Sequence, residues 1–196
     1  MEILAHPSGS HKQRINSVRR VVELLGSEYH PTHVLLDGED YSHAESVLGE
    51  FRDIAFYWNR ERPKVCVPAH VRLLMADDRC GHLIWLSRRA IEEEEILFVW
   101  IVAHELRHFY QATQGFSSFC LRRGVQELRR RAEYRDLPSS TLGPAELDAD
   151  IFAMRTSKEL IGSDRLNAFF ERRQLPRCPF AAYPAFLECL GQLCDQ

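Results

Sequence analysis

His104-Glu105-Leu106-Arg107-His108 is an H-E-x-x-H pattern, and its residue types and spacing could do hydrolytic chemistry. On an α-helix, positions i and i+4 stack on one face about one turn apart. Two imidazoles so placed can each offer a nitrogen to one Zn²⁺ at about 2.0–2.1 Å. Glu105 follows the first histidine and is the candidate general base for a metal-activated water. The bland reading is a pair of core or surface histidines. Chance alone places such a pattern in roughly a few of every hundred chains of this length. The flanking sequence therefore has to carry part of the argument.

It does so through the helix. Ser87 can cap an N-terminus, Glu92 to Glu95 suit the early turns, where the macrodipole favours carboxylates, and Gly115 is a stop. Ile96 to Ala103 is almost continuously apolar, which predicts a helix buried on most sides. A buried helix must satisfy two histidines and a glutamate, and a metal does so.

A catalytic zinc site takes three protein ligands and keeps one position open. The third-histidine pattern H-E-x-x-H-x-x-G-x-x-H is absent: Gln111 and Gln114 stand in the relevant places, and no histidine follows His108. The other candidates are Glu146, Asp148 and Asp150, on a helix predicted from Pro144 to about Leu160. Glu146 and Asp150 share a face, and Asp148 points roughly the opposite way. Glu146 as ligand, with Asp150 orienting a ligating histidine, fits that geometry and the habit of such histidines of donating their second N–H to a carboxylate. The competing reading is an acidic, solvated first turn stabilised by the helix dipole.

Around these residues the chain reads as one α+β domain over 1–196, a length that suits one domain. Residues 1–60 form an N-terminal helical part, 61–163 a catalytic core and 164–196 a C-terminal helical tail. Residues 1–10 read as irregular. His11 to Leu25 has helical spacing ended by Gly26, and His33 to Leu36 reads as a strand. Ser42 to Asn59 reads as a second helix, and Val65 to Val67 as a strand. Val71 to Ala76 and His82 to Leu86 read as a hairpin around Asp77–Gly81. An exposed edge there could pair with an extended peptide. Further helices are expected from Ser117 or Ser118 to about Arg135, over Leu166 to Arg173 and over Ala185 to Leu193.

A formal net charge of −3 gives no bulk electrostatic reason for a nucleic-acid partner. No apolar run reaches the ~18 residues of a membrane span, and the N-terminus lacks a signal-peptide pattern. The six cysteines have no C-x-x-C spacing and read as reduced thiols in a cytoplasmic protein.

His104-Glu-Leu-Arg-His108 followed by Glu146-Leu-Asp-Ala-Asp-Ile-Phe-Ala153 resembles the gluzincin zinc metallopeptidases. The nearest resemblance is to the small single-domain members, the minigluzincins and the ImmA/IrrE-like proteins of bacteria and phages. There, an H-E-x-x-H helix is followed by a helix of the form E-x-x-A-[N/D]-x-F-A whose Glu binds zinc. The resemblance implies His104, His108 and Glu146 as ligands, Glu105 as the base and Asp150 behind a ligating histidine. It implies a zincin-like fold with a small antiparallel sheet on the motif helix, a Zn²⁺ cofactor and a peptide or protein substrate. The alternative reading is a non-catalytic or latent zinc-binding regulatory module that binds a partner protein or nucleic acid.

Overall fold

The computed structural model describes residues 1–5, 11–38, 54–60, 69–114, 126–127, 130 and 144–173. The chain divides into two compact units, Met1–Phe109 and Tyr110–Gln196.

The first unit holds a four-stranded mixed sheet with several helices. Its strands are β1 (Glu2–Ala5), β2 (His33–Leu36), β3 (Ala55–Asn59) and β4 (His82–Leu86), in the spatial order β1-β2-β4-β3. β1, β2 and β4 run parallel and β3 is antiparallel to β4, with Val34 opposite Ile84 on one side and Tyr57 opposite it on the other. The expected all-antiparallel sheet is therefore corrected to a mixed one. β4 lies inside the sheet, and Leu83, Ile84, Trp85 and Leu86 are all buried. A strand covered on both faces reads as a continuous apolar run. Its edge is thus not open to a peptide. Among the described residues, the sheet edges are β1 and β3.

Helix α1 (Lys12–Leu25) buries Val18, Val21 and Val22, and ends where Gly26 turns to φ 90° and donates to the Val22 carbonyl. This matches the sequence reading. Three others change. Residues 2–5 form β1, not an irregular lead. Residues 55–59 form β3, because Ala-Phe-Tyr-Trp-Asn is a run of aromatic strand formers. Phe56 stacks on Trp85 across the register at 5.1 Å. Ala69–Ala76 is helix α2, not the first arm of a hairpin. Leu, Met and Ala favour helix there. Val71 is fully buried while Leu73 is 76% exposed, so the strand alternation of 71 with 73 is broken.

The motif helix is shorter than predicted. Ser87 caps a separate short helix, α3 (Arg88–Glu92), by accepting from the Ala90 N–H, and Glu93 is extended at φ −62°, ψ 161°. Helix α4 (Glu95–Thr113) then begins. The new start puts Glu95 in a first turn, where the macrodipole favours a carboxylate. Arg14 donates to the Glu93 carbonyl and its guanidinium lies 4.8 Å from the Phe98 ring centroid, fastening the break. Burial lowers the Arg14 pKa, and Glu95 partly offsets this. Within this unit Phe98, Ala103 and Leu106 of α4 are fully buried, and Phe109 meets Tyr57 and His82 of the sheet edge-on at 6.1 and 5.1 Å.

The second unit contains the last turn of α4, α5 (Pro144–Ile161) and α6 (Ser163–Arg173). Pro144 takes the first helical position, which its fixed φ suits. Gly162 separates the two helices with φ 93°, and its N–H donates to the Lys158 carbonyl. Both helices fall where the sequence places them. The expected elements at Ser42–Phe51, Val65–Val67, Ala185–Leu193 and most of 117–135 lie outside the described residues, as does the loop 136–143. Among the described residues no helix is long and apolar enough to cross a membrane.

Candidate metal centre

The continuous helix α4 carries the motif. His104 and His108 are one turn apart and both buried, with relative exposures of 8% and 6%. Their rings stand nearly perpendicular, at 82°, with centroids 4.7 Å apart. The two Nε2 atoms face each other at 3.1 Å. Two nitrogens on one tetrahedral ion, each at about 2.05 Å, would stand about 3.3 Å apart. The histidine pair is therefore already close to the spacing a zinc ion imposes.

Glu146, in the first turn of α5, completes the cluster. His104, His108 and Glu146 each offer one ligand atom, and these atoms all lie within 4.8 Å of one another. Among the described residues, this group of three is the candidate site. Its donor set is two imidazoles and one carboxylate, which suits Zn²⁺ and leaves one of four tetrahedral positions open. The residues present thus fit the metal, and their H-E-x-x-H spacing is consistent with a zincin-type site.

Neighbouring side chains brace the histidines. Trp100, one turn before His104, has its ring centroid 5.1 Å away from that imidazole. Arg107 is buried and donates to the Tyr29 hydroxyl at 3.0 Å. Tyr29 sits in a 3₁₀ turn, Ser27–Tyr29, after α1. A charged residue inside the motif is thereby given a partner in the core. Glu105 is 6% exposed, beside the ligand face and not on it.

Asp150 is partly buried one turn after Glu146 on α5. Asp148 lies outside the group of three. It is fully buried, and its Oδ2 accepts from the side-chain amide of Gln111 on α4 at 2.7 Å. Gln111 and this role of Asp148 went unread in the sequence. The available signal was that Gln111 falls seven residues after His104, on the same helical stripe.

Three of the five other described histidines do other work. His33 meets Glu2 at 3.3 Å, His70 meets Asp37 at 2.6 Å and His82 meets the Tyr57 hydroxyl at 2.8 Å. Cys80 is buried and free, and burial raises its thiol pKa. The other five cysteines lie outside the described residues.

No family model, no curated protein and no solved structure matches the chain. The site stands on its own residues and geometry.

Proposed function

We propose that this protein is a zinc-dependent endopeptidase of the gluzincin type, with His104, His108 and Glu146 as ligands and Glu105 as the general base. The observation that carries the reading is the convergence of two imidazole nitrogens, 3.1 Å apart, with a carboxylate in one cluster. A bound zinc ion supplies a Lewis acid that polarises a scissile carbonyl and lowers the pKa of water.

The chain's own residues do the rest. His104 and His108 hold their nitrogens toward one point because α4 is buried on nearly every side and cannot rotate. Glu105 takes a proton from the attacking water and passes it to the leaving amine. Asp150 orients a ligating histidine. Strand β3 is an edge of the described sheet, with Ala55, Tyr57, Trp58 and Asn59 buried. Phe109, beside the second ligand, touches Tyr57 of that strand. The strand is thus placed beside the motif helix.

A regulatory zinc module would close its site with a fourth protein ligand. Among the described residues the cluster has three, the number of protein ligands a catalytic zinc site uses.

Elemental analysis of protein purified without added metal tests the site. Wild type should carry about one zinc per chain, and Glu146→Ala clearly less, since catalytic sites need three protein ligands. A wild type that holds no zinc, and takes up none on titration, would overturn the reading.

A further inference from the structure

Helix α4 carries a third polar residue on its ligand face. Gln111 follows His104 by seven positions and His108 by three, so the three form one stripe. It is 9% exposed. Its Nε2 donates to the Ala145 carbonyl at 2.9 Å and to Asp148 Oδ2 at 2.7 Å. A side-chain amide has two N–H donors, and this one uses both on α5. The two acceptors bracket Glu146, one residue before it and two after.

We propose that Gln111 is the positioning residue of the metal centre. It fixes the register of α5 against the last turn of α4, and so holds the Glu146 carboxylate where the two histidine nitrogens converge. The proposal rests on the reading of His104, His108 and Glu146 as a zinc site.

Magnitudes explain why such a clamp is needed. A helix that slips by one residue moves about 1.5 Å along its axis. A metal–ligand distance tolerates about 0.2 Å. The apolar side of α5, with Ala149, Ile151, Phe152 and Ala153 buried, drives association. Apolar burial is non-directional, however, and does not select register at that resolution. A forked pair of hydrogen bonds does, because one slip breaks both. The bond to Asp148 is short, at 2.7 Å, and its acceptor is fully buried, away from competing water. A neutral amide makes these bonds without placing a second positive charge beside a cation site.

The test uses the full chain as wild type, Gln111→Met, Glu146→Ala and the double variant. Zinc dissociation constants come from competition with a chromophoric chelator, and the coordination from the Co²⁺ absorption spectrum. Gln111→Met keeps the side chain's length and helix propensity. It should weaken zinc binding about ten- to a hundredfold, the usual cost of losing a residue that orients ligands. Its Co²⁺ spectrum should move toward that of Glu146→Ala. In the Glu146→Ala background the same substitution should change nothing further, because residues acting through one another are not additive.

Zinc binding within twofold of wild type in Gln111→Met would overturn the proposal. So would an equal loss in both backgrounds, or a lower zinc-free melting temperature with an unchanged dissociation constant, which marks ordinary helix packing. If Gln111→Met does not fold, Gln111→Asn keeps an amide on a shorter arm and is read by the same criteria. A wild type without zinc would overturn the site itself, a result distinct from all of these.

Discussion

Two of the polar clusters among the described residues differ in the groups they bring together. At the end of β2, Asp37 is 1% exposed and accepts from Trp85 Nε1 at 2.7 Å and His70 Nε2 at 2.6 Å. Its own N–H donates to the Leu86 carbonyl at 2.8 Å. Donor meets acceptor throughout, and the cluster ties α2 and β4 to β2. On α4, two imidazole nitrogens face one another and a carboxylate belongs to the same group. One proton can bridge the rings, and a metal ion could take one ligand atom from each of the three. Burial alone therefore does not mark a chemical site, since both clusters are buried. The mark is the convergence of two imidazole nitrogens and a carboxylate in one cluster.

The sharpest way to break this comparison is at Glu105. Glu105→Gln keeps shape and burial, and removes only the basic oxygen. Turnover of an unfolded protein substrate should fall about a hundred- to ten-thousandfold, the usual contribution of a general base. Zinc content should stay at the wild-type level. Zinc retained with near-normal turnover would remove Glu105 from its role and leave the α4 cluster a binding site.

The next effect belongs to the other cluster. Asp37→Ala leaves the buried Trp85 indole N–H without its acceptor, at a cost of about 1–3 kcal/mol. His70 is half exposed and can turn to water, so it adds little. Urea unfolding should report the loss, and zinc content should not move. Loss of zinc without loss of stability would mean that the two clusters are one functional network. Asp37→Asn, which still accepts, should cost less.

The sequence made the site more legible than the sheet, for a physical reason. Side chains four apart on a helix share a face, so His104 and His108 announce their convergence from spacing alone. Glu146 followed from its place in a first turn and from the resemblance. Gln111 and Asp148 did not, because a hydrogen bond between two helices leaves no period in either. The helices ended by Gly26 and Gly162 were placed well, since positive φ stops a helix locally. β1 is four residues long and too short for alternation to show. β3 was read as helix because its aromatic run satisfies both periods, and only its pairing with β4 decides. The break at Glu93 depends on Arg14, far away in sequence.

The smallest effect lies at the solvated end of the same comparison. In the turn between α2 and β4, Asp77 accepts from the backbone N–H, Nε and Nη2 of Arg79 at 2.9, 3.2 and 2.8 Å. These bonds hold its pKa at about 2, below the ordinary 3.8. Because the folded value is the lower one, the stabilisation is complete above the unfolded pKa and is lost as pH falls from about 4 toward about 2. Water screens the pair, as it does most surface ion pairs, so the contribution is small. Zinc-free wild type and Asp77→Asn, unfolded by urea across that range, isolate it, since every other group titrates alike in both. The wild-type curve should fall slightly more steeply with acid. Identical slopes would show that an aspartate with its donors in water contributes nothing measurable, whereas Asp37, matched to donors inside the protein, does.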